Sequence, residues 1–322
     1  MPKVLVGISG GVDSSVTALL LRNQGFEVEG VLLKQVNEPT DCDDYVCCSE
    51  TAIARARSVC DHLNIRLHTP DVRKQFSDKI INPSIRLWED GGVPSPCTSC
   101  NADFRAPLLN YYRQVLGCDF FATGHYFINN SGQVSRGTDP TKDQSYMIGL
   151  VQPELLKFWL TPLGDLTKAR VRQIAAQNDI ATANTPDSQN LCFNHLLPPL
   201  VRPVLQHSEK GLFKIGTHSG RPAIGQRKGF GGRTVISVSD RCIIVGDVRP
   251  QSKTINVMWK NYPSRNPNEL NAQVAYHGKK YGVSSFDARS ITLDSEVVVN
   301  TGQVVVVYCD DELVGGGVMY RS

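Results

Sequence analysis

The sequence predicts an α/β fold: a doubly wound parallel sheet at the N-terminal end, followed by two small β-rich modules, the last a β-barrel. Three observations carry this. Apolar runs of strand length alternate with segments of helical period as far as Phe193. A short glycine- and serine-bearing turn joins the first strand to the first helix. Beyond Asn194 the helical period gives way to β-branched runs separated by glycines.

Lys3 to Ile8 reads as a buried strand, and Ser9-Gly-Gly-Val-Asp-Ser-Ser15 as the turn after it. Val16, Leu19 and Leu20 mark one face of a helix that stops at Asn23-Gln24-Gly25. Val28 to Leu33 reads as a second strand, and residues 36–48, with Cys42, Cys47 and Cys48, as a polar loop. Ile53, Ala56, Cys60 and Leu63 predict a helix, Ile65 to Thr69 a strand, and Phe76, Ile80 and Ile85 another helix. Residues 91–101 carry two prolines and two glycines and read as non-helical. Leu108, Leu109, Tyr112 and Leu116 resume a helix, and Asp119 to Thr123 is a strand ending in Gly124-His125. Thr167 caps a helix running to Asn178, and Asn184 to Phe193 is turn-like. Three prolines between Asn194 and Gly211 read as a linker or loose crossover. Strand signals follow at 234–238, 243–245, 255–259, 297–299 and 304–308. The expected domains are 1–193, 194–250 and 251–322.

A chain of 322 residues, 20% charged and 41% hydrophobic, belongs with globular proteins. No run has the length of a membrane span, and a strand signal from residue 3 leaves no room for a leader, so a cytoplasmic protein is expected, with an organellar origin open; a monomer is expected too. Ten cysteines without a leader point to a reducing compartment and to chemistry rather than a disulfide scaffold. Residues 194–322 hold sixteen Lys and Arg against ten Asp and Glu, a net +6, which leaves −3 for residues 1–193. A basic back half suits a polyanion, although solvated basic faces are common.

The turn at Ser9–Ser15 has chemical content. A strand that feeds a helix leaves N–H groups unpaired where the helix dipole is positive. Gly10 and Gly11 permit close approach of an anion, and Ser9, Ser14 and Ser15 add hydroxyls. No Gly-Lys-Ser/Thr follows, so this is not a Walker A loop. Cysteine makes the second constellation. Cys60, Cys118, Cys242 and Cys309 have apolar neighbours and read as small core residues. Cys97, Cys100 and Cys192 lie in polar, turn-like stretches of the kind that present functional groups. A zinc site needs a fourth ligand, and the adjacent pair Cys47-Cys48 supplies one awkwardly.

The seven residues Ser9–Ser15 resemble the pyrophosphate loop of the PP-loop ATP pyrophosphatases, whose Rossmann-like sheet splits ATP between the α and β phosphates to adenylate an oxygen. From end to end the chain resembles the tRNA-specific 2-thiouridylases. The matching stretches are Cys47-Cys48-Ser49, Pro96-Cys97-Thr98-Ser99-Cys100-Asn101, Ala122-Thr123-Gly124-His125-Tyr126 and Lys142-Asp143-Gln144-Ser145-Tyr146. Pro162-Leu163-Gly164, Asp187-Ser188-Gln189-Asn190-Leu191-Cys192-Phe193 and Gly225-Gln226-Arg227-Lys228-Gly229 continue the match. It closes with Thr301-Gly302-Gln303 and Gly315-Gly316-Gly317, in the same order and approximate spacing.

This resemblance implies an enzyme of tRNA sulfuration. ATP, with Mg²⁺, adenylates O2 of the wobble uridine of certain tRNAs, and a sulfur nucleophile then displaces AMP. ATP would lie on Gly7, Ile8, Ser9, Gly10, Gly11, Val12, Asp13 and Ser14, with Leu33 and Gly124 beside the adenine and ribose. Leu33 reads equally well as a buried strand end. Cys192 would carry a persulfide from a relay protein or a cysteine desulfurase, hydrosulfide being the donor if an open iron carries the sulfur instead, and Cys100 would resolve the intermediate to a Cys100–Cys192 disulfide. Lys142 would keep the Cys192 thiolate near positive charge, unless it simply pairs with Asp143. Ser95, Pro96, Cys97, His125, Lys142, Asp143, Gln144, Tyr276 and Gln303 match tRNA-contacting positions.

The sequence departs from the family pattern in three places. Cys97 stands where many members have Asp, and Cys97, Cys100 and Cys192 together make a three-cysteine set of the kind that holds a [4Fe–4S] cluster with one open iron. Ala275 replaces an arginine before Tyr276, and Phe104-Arg105-Ala106 replaces Ile-Lys-Phe. Two other classes were weighed. A small-molecule ATP pyrophosphatase gives no use for Cys100, Cys192 or the basic half, and a catalytically silent tRNA-binding protein would show an eroded loop or lost cysteines.

Overall fold

The computed structural model describes residues 1–36, 50–187, 191–197, 200–208, 211–239, 241–247 and 251–321; Cys42, Cys47, Cys48 and residues 188–190 lie outside them. The chain divides into two units: Met1–Ile80 with Ser99–His195 and Asp311–Leu313, and Ile81–Thr98 with Leu196–Asp310 and Val314–Ser322.

In the first half of the chain β1 (Lys3–Gly7) is followed by α1 (Val12–Asn23), β2 (Glu27–Val31), α2 (Glu50–His62) and β3 (Arg66–His68). The spacing of Phe76, Ile80 and Ile85 is carried by α3 (Arg73–Phe76), a π-helical stretch Ser77–Ile81 and α4 (Asn82–Glu89). Then come α5 (Pro96–Ser99), a π-helical stretch Cys100–Arg105, α6 (Ala106–Val115) and β4 (Phe120–Ala122). A hairpin, β5 (Phe127–Asn130) and β6 (Gln133–Arg136), precedes α7 (Pro153–Leu156), β7 (Trp159–Leu160) and α8 (Lys168–Gln177). Strands β3-β2-β1-β4-β7 form the expected parallel sheet in that order. Val4 and Val6 pack in its core with Val16, Leu19, Leu63 and Val171, and Leu5, on the opposite face, is fully buried too, so β1 is covered on both faces. The strand order reverses between β1 and β4, which is where a crevice opens at the carboxyl ends of such sheets.

One expectation is corrected. Residues 96–105 are helical, although two prolines and two glycines precede Cys97. Pro96 is the first residue of α5, where a fixed φ suits a helix and the missing N–H has no partner to lose. Both glycines lie upstream. Cys97 and Cys100 therefore stand on helical turns, not on a strained loop.

A second correction concerns 194–211. Val201–Ser208 is a strand, β8, paired along its length with β9 (Gly211–Ser219). Pro203 is tolerated because the neighbour on the other side, β11 (Ile243–Gly246), pairs only with Val204–Gln206. With β10 (Thr234–Val238) these make a four-stranded sheet, β10-β11-β8-β9. The rest forms β12 (Ser252–Asn261), β13 (Leu270–Gln273), β14 (Lys280–Phe286), β15 (Ser290–Val297), β16 (Val304–Cys309) and β17 (Glu312–Tyr320). Order β12-β15-β14-β13-β16-β17 closes through Asn256–Asn261 against Gly316–Tyr320 into the predicted antiparallel barrel. Alternate residues Ile255 and Val257, Leu270 and Ala272, Ile291 and Leu293, and Val305 and Val307 fill it. No described helix is long and apolar enough to cross a membrane.

Candidate active site

The turn between β1 and α1 is held from within. Ser9 N donates to Ser14 Oγ at 3.1 Å, and the two hydroxyls lie 3.1 Å apart. Ser15 Oγ donates to Gly11 O at 2.9 Å. Gly10 has φ +75°, and a Cβ there would stand 2.4 Å from the Ala52 carbonyl oxygen, so only glycine fits. A Cβ on Gly124, after β4, would meet the Asp13 and Ser14 backbone at 2.8 Å. That closeness is why glycine stands two residues beyond β4. Gly7, Ile8, Ser9, Asp13, Ser14, Leu33 and Gly124 line one cleft of about 220 Å³, together with Gln35, Arg105, His125 and Gln144. Gly10, Gly11 and Val12 make the turn itself, and the Val12 side chain is buried in the core.

Asp13 does more than a loop residue need do. Its carboxylate accepts from Tyr126 Oη at 2.6 Å and from Lys168 Nζ at 2.7 and 2.8 Å. Lys168 Nζ also reaches Asp187 at 2.8 Å. Asp187 in turn accepts from Lys142 Nζ at 2.7 Å and from Arg172 Nη2 at 2.9 Å. Burial acts to raise the Asp187 pKa, but the hydrogen bonds from Lys142 and Lys168 outweigh it and hold the carboxyl below its usual value. Lys142 therefore pairs with Asp187, not with Asp143. One buried ammonium joins the nucleotide turn to the segment that leads to Cys192. Sequence reasoning missed Lys168, though a signal was present. A lysine in the first turn of a helix opposes the dipole, so it needs carboxylates nearby. Thr167 caps that helix as expected, accepting from Arg170 N.

His125 is buried against Trp159 and Phe127. Trp159 Nε1 donates to Thr123 Oγ1 at 2.8 Å, and Thr123 Oγ1 lies 2.7 Å from His125 Nδ1. Indole is only a donor, so the threonine oxygen accepts from Trp159, and the hydroxyl and the imidazole share the second hydrogen bond. Burial first, and then the nearby Arg105 charge, push the His125 pKa down to about 3. The ring is thus a neutral imidazole on the cleft wall. Arg105, the last residue of the π-helical stretch that starts at Cys100, is the one Lys or Arg among the described lining residues.

Cys100 is buried, Cys192 half-buried and Cys97 exposed. Phe76 packs edge-on against Phe104 at 5.1 Å and against Phe193 at 6.0 Å between ring centroids. The π-helical stretch bearing Cys100 and the segment bearing Cys192 are thereby seated on one fully buried ring. Burial pushes the Cys60 thiol up to about 11 and raises Cys118, as befits inert core thiols. Among the described residues no group of three or more His, Cys, Asp or Glu is placed to hold a metal ion. Cys97 belongs to the second unit, and Cys100 and Cys192 to the first.

The remaining predicted contacts are dispersed. The Asp143 carboxylate accepts from Arg136 Nη1, Gly137 N and Ser145 N and Oγ, so it organises its own loop. Gln144 Oε1 accepts from Tyr126 N at 3.0 Å. Ser95 and Pro96 are half-buried in the second unit. There Tyr276 is exposed and stacks near His277, and Gln303 Oε1 accepts from Asn300 Nδ2 at 2.9 Å.

With this geometry in place, comparison with known proteins is decisive. Residues 2–195 match the model of the tRNA methyl transferase HUP domain family. The tRNA-specific 2-thiouridylase MnmA of Deinococcus radiodurans is 33% identical over 98% of this chain and 92% of its own. The chain belongs to the tRNA-specific 2-thiouridylase family. The enzymes of that name from Carboxydothermus hydrogenoformans and Thermus thermophilus are each 32% identical, covering 99% and 100% of this chain and 98% and 96% of theirs. Membership over the full length agrees with the family's expected parallel sheet and terminal barrel, both of which are present.

Proposed function

We propose that this protein replaces O2 of a tRNA wobble uridine with sulfur, at the expense of ATP. The observation that carries the reading is the Asp13–Lys168–Asp187 bridge, which ties a pyrophosphate-type turn to the segment of Cys192 within one unit. The uridine O2 is a poor leaving group until it is esterified. ATP on the turn gives up its α-phosphoryl group to O2, the bond between the α and β phosphates breaks, and pyrophosphate leaves against the N-terminus of α1. Mg²⁺ would be held by the Asp13 carboxylate, with the Ser9 and Ser14 hydroxyls beside it in the same cleft. When bound, it neutralises charge on the departing pyrophosphate. Lys168 holds the Asp13 carboxylate in place, and the neutral His125 ring lines the same cleft.

Sulfur transfer follows with its atoms in balance. The outer sulfur of a Cys192 persulfide attacks C2, the C2–O bond breaks and AMP departs. Cys100 thiolate then attacks Cys192 Sγ and the sulfur–sulfur bond to C2 breaks, which leaves 2-thiouridine and a Cys100–Cys192 disulfide. An external dithiol reduces that disulfide, and a persulfide donor protein passes its outer sulfur to the Cys192 thiolate, its own cysteine leaving as a thiol. The common seat of both segments on Phe76 supports this pairing. Ser95, Pro96, Cys97, Lys142, Gln144, Tyr276 and Gln303 are proposed as tRNA contacts, with 194–250 and 251–322 as the modules that extend the grip. The test is release of pyrophosphate from ATP with and without a wobble-uridine tRNA transcript. Stimulation by that transcript, and none by one with cytidine at the wobble position, is expected; equal release without RNA would overturn the reading.

A further inference from the structure

The second unit holds a cationic cluster that the sulfur chemistry does not use. Arg202 on β8 stands opposite His218 on β9 in the pairing register, so the two side chains leave the same face of the sheet. Arg202 is only 2% exposed. Its Nη2 donates to the carbonyls of Trp88 and Glu89 at 3.1 and 3.3 Å. Its Nε and Nη1 are buried without an acceptor among the described residues, and the same holds for His218 Nδ1. No carboxylate among the described residues lies within ion-pair distance of Arg202. Arg221, just beyond β9, lays its guanidinium over the Trp88 ring at 5.3 Å. Burial and then the charge of Arg202 lower the Arg221 pKa, with Glu89 opposing. Two guanidinium groups thus face each other's charge in a partly dry place.

Buried N–H donors on a fixed cation are seldom left unmet in a folded protein, and two adjacent guanidiniums repel unless an anion stands between them. The planar forks of arginine match phosphate oxygens. The surroundings favour a polyanion over a small acid. The Gly225-Gln-Arg-Lys-Gly229 turn wraps the same histidine: Phe230 stacks on His218 at 4.6 Å, and a Cβ on Gly229 would lie 3.6 Å from His218 Nε2. Arg227 and Lys228 in that turn are exposed, and the back half of the chain is net basic. We propose that Arg202, His218 and Arg221 form a binding site for a phosphate of the tRNA backbone. Arg221, half-exposed, meets the phosphate first, and Arg202 supplies the fixed donors behind it. This rests on the reading of tRNA as substrate.

The test uses the full chain and a wobble-uridine tRNA transcript, with affinity measured over a series of KCl concentrations. Arg221→Gln is expected to weaken binding about tenfold and to reduce the slope of log affinity against log salt by about one. Arg221→Lys should keep the slope. Arg202→Gln should act in the same direction, and if it does not fold, Arg221→Gln decides alone. Affinity and slope unchanged in a normally folded Arg221→Gln would overturn the site. So would stabilisation of the wild type by inorganic phosphate over equal chloride, if Arg221→Gln abolished it without altering tRNA binding; the site would then take free phosphate. Pyrophosphate release stimulated by tRNA is read in parallel. Its absence from the wild type overturns the functional reading, whereas its presence with an unaltered Arg221→Gln slope overturns the phosphate site only.

Discussion

His125 gives the pH dependence of the first unit a calculable part. In the unfolded chain its pKa is about 6.5, and in the folded one it is about 3, because the ring is buried and faces the Arg105 charge. The folded pKa is the lower, so the unfolded state binds more protons between these values. The neutral histidine's contribution is therefore complete above pH 6.5 and is lost as pH falls toward 3. At pH 5 the difference amounts to about 1.5 pH units at 1.36 kcal/mol each, about 2 kcal/mol. The assay is urea unfolding at pH 7.5 and pH 5.0 in a Trp88→Phe, Trp259→Phe background, so that Trp159, which His125 touches, reports the transition. His125→Asn keeps a hydrogen-bond partner for the Thr123 hydroxyl and removes the titration. The wild type should lose about 2 kcal/mol more than His125→Asn between the two pH values. Equal losses in the two proteins would refute the argument, whatever their absolute stabilities.

Three further outcomes follow from the same geometry. Lys168→Met leaves Asp13 and Asp187 facing each other without their shared cation, and should cost about 2–4 kcal/mol by urea unfolding while abolishing pyrophosphate release; Lys168→Arg should recover part of both. Phe76→Ala removes a fully buried ring and should cost about 3–5 kcal/mol, and Phe76→Leu, which folds more nearly normally, should slow formation of the Cys100–Cys192 disulfide more than release of pyrophosphate. Gly124→Ala forces a methyl group against the backbone of Asp13 and Ser14, so ATP affinity measured by calorimetry should fall at least tenfold with the barrel unaltered.

Much of this molecule was legible before its coordinates. The parallel sheet followed from strand and helix periods, because a strand covered on both faces must read as an apolar run. The turn at Ser9–Ser15 and the barrel strands β12 and β16 were equally open to reading, whereas the signal at 297–299 meets β15 only at Val297. Two local errors share a cause: proline was weighed by its presence rather than its position. Pro96 starts a helix and Pro203 sits outside the register of β11, and in neither place does a missing N–H matter. What stayed hidden was long-range. Lys168 meets Asp13 across 155 positions and Tyr126 meets Asp13 across 113, and no local spacing announces such pairs. Phe76 read only as one position of a helical spacing; that it seats two cysteine-bearing segments appears only from the packing of Phe104 and Phe193.

The account stands most directly on one measurement, nucleoside mass spectrometry of a wobble-uridine tRNA transcript incubated with the protein, ATP, Mg²⁺ and a persulfide donor. The wild type should convert uridine to 2-thiouridine, and Cys192→Ala should yield none while still releasing pyrophosphate. Normal 2-thiouridine from Cys192→Ala would contradict the account.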